Sequence, residues 1–319
     1  MIRFLLSRGH GYTLKDVRRA RQAPPISVMF YDSLFRSRCV WRGTYVFTDL
    51  DRLSYWDLEL AAHAYQHLRS AGVPVWNNPA RVRSRYPLLR RLHEAGLNDF
   101  NVYRGDEPLT DVRFPVFVRK LQGHREPLSD LLHTREELNR VMNDAIGSGT
   151  PAANLLVVEF AAEPFRPGLY RKYSAFRIGN QILPHISVHD TSWLVKYGKT
   201  GIAGEDLYRE ELDALRENPH CEHLRKVFDL ADIEYGRADF GFFRGRIQVY
   251  EINTNPRVVG PGPHPSPARR QSLELVWKLY LDGLRAIDTP RGWPAQLPNG
   301  TLQKFRPWKN LLVRTRKSP

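Results

Sequence analysis

The stretch GRADFGFFRGRIQVYEINTNPRV, residues 236–258, decides how this chain is read. Two apolar, β-rich runs flank Arg244-Gly245, a pair suited to turning a hairpin. Yet the first run carries Asp239, and the second ends in Glu251 and Asn253. A carboxylate buried without a partner is costly, so these side chains need something to bind. In an antiparallel hairpin the start of one strand faces the end of the other, which sets Asp239 beside Glu251 and Asn253. Glu251 and Asn253 are two apart and share a face. Carboxylate and amide oxygens suit Mg²⁺, which keeps a few protein ligands and takes its remaining oxygens from water and phosphates. Arg237, two residues before Asp239 and on the same face, is placed for a phosphate oxygen. The bland alternative is a salt-bridged strand end. The concerted placement of all four residues, with NTNP turning the chain directly afterwards, argues against it.

The rest of the chain permits such a site. Its 319 residues exceed a typical single domain, so two or three units with real cores are expected. Hydrophobic residues at 42% and charged residues at 26% exclude disorder. The two cysteines, Cys39 and Cys221, lack metal-ligand spacing and point to a reducing, cytoplasmic setting. No apolar run approaches the roughly 20 residues that cross a bilayer, so no membrane is expected. MIRFLLSRGHGY is too short an apolar start for a signal peptide. The net charge of +14 comes partly from the segment after Asp288 and from Arg81, Arg83, Arg85, Arg90 and Arg91. There is no zinc finger, helix-turn-helix or aromatic RNA-binding signature, so nucleic acid is not the expected partner. Solvated basic faces and a few phosphate-contacting residues are.

Strands and helices alternate. Residues 1–100 read as an α/β domain: strands at 26–30, 43–50 and 73–79, a helix at 54–72 capped by Ser54 and stopped by Gly72, and an Arg-rich helix ending near Gly96. Residues 101–165 read as strands 113–120 and 154–160 around a helix that starts with a Thr134–Glu137 capping box and ends at Gly147. Residues 166–287 hold a hairpin at 173–188 around Gly179-Asn180, helices at 205–217 and 221–232, the opening hairpin, and a long amphipathic helix at 266–287. Ser266 caps that last helix and Pro267 takes its first position. Residues 288–319 form a basic, proline-bearing tail, expected to lie outside the catalytic core, with Trp293 and Trp308 as its large aromatics.

The Arg-x-Asp strand, followed about a dozen residues later by Glu-x-Asn, resembles the ATP-grasp superfamily, which includes D-alanine–D-alanine ligases, glutathione synthetases and glutamate-adding ligases. The resemblance covers roughly residues 73 to 287 and implies an α/β (α+β) fold. An N-terminal α/β pre-grasp domain would precede two α+β lobes that clasp the nucleotide. It implies ATP and Mg²⁺ as cofactors, with Asp239, Glu251 and Asn253 as metal ligands and Arg237 on a phosphate. FPVFVRK resembles the family's first nucleotide strand and puts Arg119 at its lysine position, with Lys120 next along. Neighbours on a strand point to opposite faces, so only one meets the phosphates, and the register from Pro115 favours Arg119. LLVVEFAAE resembles the adenine-binding strand, with Glu159 and the backbone of Phe160 and Ala161 at its hinge. Where a glutamate often holds the ribose, this chain has Arg171 and Lys172. The loop LQGHREPLSD offers one glycine, Gly123, and His124 where small residues are usual.

Relatives of this kind mostly activate a carboxylate as an acyl phosphate and pass the acyl group to an amine or thiol. The work is positioning and charge neutralisation. Arg177 and Lys196 are the residues expected to hold the donor and offset charge during catalysis, with His185, His189 and Arg257 as substrate contacts. VKYGKTGIAG reads as a glycine-hinged flap. The partners expected are a small-molecule carboxylate and an amine; the oligomeric state is left open, a homodimer included. A kinase acting on a hydroxyl of an anionic or sugar-like molecule is the alternative, and a non-catalytic nucleotide-binding protein a third reading. Between Tyr170 and Gly201 the one carboxylate able to serve a kinase as base is Asp190.

Overall fold

The first apolar run of the chain is the spine of the first unit. β1 (Ile2–Leu6) is buried from end to end, because parallel partners occupy both of its edges and both of its faces are covered. This geometry comes from a computed structural model, which describes residues 1–37, 39–122 and 126–297. After β1 come α1 (Lys15–Arg19), β2 (Ile26–Phe30), α2 (Tyr31–Arg36), β3 (Cys39–Trp41), β4 (Thr44–Phe47), α3 (Tyr55–Ser70), β5 (Val75–Trp76) and α4 (Arg85–Glu94). The parallel sheet runs β2-β1-β4-β5. Leu5, Tyr45 and Phe47 face Leu34, Leu60 and Leu68 of α2 and α3. Ile2, Phe4, Leu6 and Val46 face the other way. As expected, Ser54 caps α3 by accepting the Asp57 amide.

The next unit contains β6 (Val102–Arg104), β7 (Val116–Lys120), α5 (Arg135–Gly147) and β8 (Leu155–Glu159) in an antiparallel sheet ordered β6-β8-β7. The Thr134–Glu137 capping box is present at the start of α5. Val116, Val118, Leu155 and Val157 pack on Leu138 and Met142 of that helix. By alternation Phe117, Arg119, Leu156 and Val158 take the opposite face.

The third unit contains β9 (Tyr170–Ile178), β10 (Gln181–Asp190), α6 (Glu205–Glu217), α7 (Cys221–Ala231), β11 (Tyr235–Phe243), β12 (Arg246–Asn253) and α8 (Pro267–Ile287). Its antiparallel sheet runs β10-β9-β11-β12. Arg244 and Gly245, at φ 52° and 73°, make the β11–β12 turn with the two left-handed residues that a tight hairpin demands. Behind the sheet, Leu224, Val227 and Phe228 of α7 meet Ala175, Ala238 and Phe240. In front, Tyr280, Leu281 and Leu284 of α8 cover Phe176 and Ile178, and the same stripe of α8 also meets Ile2, Phe4 and Leu6. The front of the sheet beyond α8 is left for a ligand. β13 (Pro294–Gln296) then pairs with β3, and Ala295 and Leu297 enter the N-terminal core. Gly123, His124, Trp308 and the rest of the chain after Leu297 lie outside the described residues. Among those described, no helix is long and apolar enough to cross a membrane.

Candidate active site

On the β11–β12 ladder Asp239 pairs with Glu251, and Arg237 with Asn253. Directly opposed residues share a face, so all four side chains project from the front of the sheet. Immediately beyond, the register slips: Phe240 pairs with Val249, and Tyr250 is the additional residue on β12. Asp239 is 4% exposed. Arg237 Nε donates to its Oδ1 at 2.9 Å, and Lys172 Nζ stands 3.2 Å from its Oδ2. The Lys172 ammonium also donates to the Lys196 carbonyl at 3.1 Å. The Glu251 carboxylate is bound by Arg85, whose guanidinium also donates to the Leu121 carbonyl at 3.1 Å. Asn253 Oδ1 accepts the Asn255 amide at 2.8 Å.

Arg119 projects from β7 toward the same floor. Burial, and then repulsion from Arg85, push its pKa down to about 10, which leaves it charged at neutral pH. Its Nε has no hydrogen-bond partner among the described residues. These groups line a cavity of about 870 Å³ to which all three units contribute. Arg85, Arg119, Lys172 and Arg237 surround two carboxylates, so the floor attracts anions. The oxygen set fits Mg²⁺: two carboxylates and an amide suit a cation that draws its other ligands from phosphate and water. Among the described residues no three His, Cys, Asp or Glu side chains converge as a self-sufficient metal cage.

One end of the cavity is apolar, lined by Phe117, Val158, Phe160, Ala161, Phe242 and Tyr250. Trp193 closes it, its ring centroid 5.0 Å from Phe117 and 5.5 Å from Phe160. Glu159 ends β8 here, but its carboxylate is on the α5 side. It accepts from the backbone amides of Asn101 and Arg113, both at 2.9 Å, and from Arg113 Nε at 3.0 Å. Burial raises its pKa, and the Arg113 bonds outweigh that and hold it below the ordinary value. Only the backbone of this residue is left for a ligand. Glu163 lines the cavity instead, its carboxylate accepting the Arg244 amide at 2.9 Å. The sequence reading passed over it, although EFAAE offered a second acid four residues on.

Other expected site residues divide between the cavity and elsewhere. Lys196, His185 and Arg257 line it. Burial, followed by the Arg237 and Arg269 guanidiniums, pushes His185 down to about 3, so its ring is neutral. Lys120 does not line the cavity, since it alternates with Arg119 onto the α5 face. Arg177, expected to point into the cleft, is directed the other way. It alternates with Lys172 and Ser174 and donates from its Nη1 to Asp229 of α7 at 2.6 Å and from its Nε to the Gly179 carbonyl at 2.9 Å. His189 is also withdrawn, buried under Phe165 with its Nε2 accepting from Arg171 Nε at 2.9 Å. Burial and then Arg171 push its pKa down to about 4. Asp190 caps a turn by accepting the Ser192 amide at 3.2 Å and is not among the cavity residues.

Apart from Arg257, one part of the cavity lining was not foreseen. His10, Thr13, Asp49 and Arg52 from the N-terminal domain meet Asn255 and Arg257 from the loop after β12. Asp49 is 2% exposed and sits at φ 55°. Its Oδ2 accepts the Ser7 amide at 3.0 Å and lies 3.1 Å from His10 Nδ1, and its Oδ1 accepts Asn255 Nδ2 at 3.0 Å.

No protein-family model matches this sequence, and neither does any curated protein. Solved structures do. The chain is similar to the ATP-grasp ligase PsnB complexed with a minimal precursor, at TM-score 0.50 and 14% identity over 89% of this chain and 98% of that one. It is similar in the same degree, TM-score 0.50 and 14% identity over 88% and 98%, to a RimK-domain ATP-grasp protein from Sphaerobacter thermophilus DSM 20745. The chain has the ATP-grasp fold, as its hairpin motif led one to expect.

Proposed function

We propose that this chain is an ATP- and Mg²⁺-dependent ligase that activates a carboxylate as an acyl phosphate and passes the acyl group to an amine. The observation that carries the reading is the floor of the cavity, where Asp239, Glu251 and Asn253 share one face amid Arg119, Lys172 and Arg237. The three oxygen-bearing side chains would hold Mg²⁺, which when bound neutralises phosphate charge and orients the nucleotide. Arg119, Lys172 and Arg237 would fix phosphate oxygens and stabilise charge that builds as the phosphoryl group moves. The apolar end with Trp193, and the backbone of Glu159, Phe160 and Ala161, suit a nucleobase. The far end, lined by His185, Lys196, Arg257 and the N-terminal loops, is left for the donor and the amine. Having the ATP-grasp fold in common with two proteins described as ligase or RimK-domain supports this reading at the level of fold alone.

A kinase needs a base near the acceptor hydroxyl. Asp190, the carboxylate expected for that part, is engaged in a turn away from the cavity, so a kinase would have to draw its base from another cavity residue. The reading is checked by incubating the protein with Mg-ATP, hydroxylamine and a pool of proteinogenic amino acids and small dicarboxylic acids. Hydroxamate, ADP and inorganic phosphate are expected together. A phosphate ester in the ³¹P NMR spectrum, with no hydroxamate, replaces the ligase by a kinase.

A further inference from the structure

The His10–Asp49 pair is not explained by packing. Asp49 already accepts hydrogen bonds from the Ser7 amide at 3.0 Å and Asn255 Nδ2 at 3.0 Å, and Arg52 Nε lies 3.4 Å from its Oδ1. A carboxylate so supplied with donors is an acceptor at every oxygen, so the ring nitrogen facing it, Nδ1, carries the proton. That fixes the tautomer of the neutral ring, whose lone pair is then on Nε2. His10 is itself a cavity residue, with its side chain 25% exposed, whereas Asp49 behind it is buried. A buried acid behind an imidazole that itself lines a ligand cavity is the arrangement that orients a histidine base.

The pair is also tied to the floor. Asn255 donates its side-chain amide to Asp49 and its backbone amide to Asn253 Oδ1 at 2.8 Å, and Thr13 Oγ1 holds Asn255 Oδ1 at 2.8 Å. His10 is therefore tied through Asp49 and Asn255 to the side chain that ends the Glu-x-Asn motif.

We propose that His10, oriented by Asp49, is the catalytic base that frees the amine nucleophile; this rests on the ligase reading above. An amine at neutral pH enters as an ammonium and cannot attack. His10 Nε2 takes one of its protons, and the exposed nitrogen lone pair forms the C–N bond to the acyl carbon of the acyl phosphate. The acyl C–O bond breaks and its electron pair leaves with phosphate. The second nitrogen proton ends on that phosphate, giving amide and hydrogen phosphate, and the imidazolium returns its proton to water. Asp49 is a positioning residue that holds the tautomer and stabilises the imidazolium.

The experiment compares wild-type protein, His10→Gln and Asp49→Asn with Mg-ATP, the same pool of carboxylic acids, and one of two acceptors. Hydroxylamine is neutral at pH 7 and needs no base; the amino groups of the pool are ammonium ions and do. In His10→Gln, amide formation should fall by roughly 10²–10⁴-fold while hydroxamate formation stays within about twofold. Raising the pH toward the amine's own ionisation should restore amide formation in the variant. Asp49→Asn should show the same split in kcat with KM little changed. Equal losses with both acceptors, or no loss with either, overturn the base. Should His10→Gln melt below the assay temperature, the Asp49→Asn split and its recovery at high pH decide alone. Failure of the wild-type protein to make hydroxamate sinks the ligase reading, and the base with it. Normal hydroxamate with undiminished amide in His10→Gln sinks the base only.

Discussion

Asp239 stands directly opposite Glu251 on the β11–β12 ladder, one step before the register slips at Tyr250. Like charges in that relation repel. Lys172 and Arg237 on Asp239, and Arg85 on Glu251, offset the repulsion without removing it, and a divalent cation would do so further. Asp239→Asn and Glu251→Gln should therefore each weaken Mg-ATP binding by at least about 10-fold, the lower bound for disturbing a metal's surroundings. Each variant should retain a cooperative melt without ligand. Titration calorimetry giving wild-type affinity in both variants would remove the metal from this floor.

The two basic residues that end β7 predict opposite outcomes. Arg119 lines the cavity with an Nε that has no partner among the described residues, and Lys120 lies on the α5 face. Arg119→Ala should cost ATP affinity on the order of 10-fold or more, the loss of a charge-assisted bond. Lys120→Ala should leave affinity unchanged. A reversed order in nucleotide titrations would shift the assumed phosphate position to the other face of the strand.

The hairpin, the two capped helices and the long α8 were legible because each has a local signal: turn residues, a cap, or a period. β1 was not recognised as a strand, since a central parallel strand is apolar on both faces and shows no alternation. Arg177 was misplaced because parity was not carried along β9 from Lys172, which would have put it behind the sheet. The His10–Asp49 pair could not be read at all. It is made by loops 39 residues apart that meet only through the parallel β1–β4 pairing. Nothing local in HGYT or TDLD marks that meeting.

His189 gives a pH dependence. Its pKa is lowered to about 4 in the folded chain, by burial first and Arg171 second, against an ordinary value near 6.5. Between those values the unfolded state binds the extra proton. The stabilising contribution of the neutral ring is thus complete above about pH 6.5 and is lost as pH falls toward 4, with a slope of at most about 1.4 kcal/mol per pH unit. His189→Gln keeps an acceptor for Arg171 without a titrating ring. Denaturant midpoints measured from pH 7 to 4.5 should fall less steeply in this variant than in the wild type. Parallel curves would show that the ring does not titrate in this window.

The segment after α8 was expected to lie outside the catalytic core, and its first ten residues are not placed as an appendage. Thr289 Oγ1 lies 3.0 Å from Thr44 Oγ1, β13 completes an antiparallel pair with β3, and Leu297 is 3% exposed in the core beneath α2 and α3. Trp293, by contrast, is 87% exposed and adds no packing. Truncation after Asp288 removes a buried leucine, worth about 1.5–3 kcal/mol, and leaves β3 an unpaired edge. The melting temperature should drop by roughly 2–4 °C for each kcal/mol lost. Leu297→Ala alone should cost about 2–5 kcal/mol, because the surrounding side chains collapse only partly into the cavity left behind. None of residues 289–297 lines the ligand cavity, so below its lowered melting point the truncated protein should bind Mg-ATP as the full chain does. Unchanged melting in both variants would mean that β13 adds nothing to the core. A lower melting point accompanied by lost nucleotide affinity would mean that the N-terminal domain passes the damage on to the floor of the cavity, through Arg85 and the Asp49–Asn255 contact.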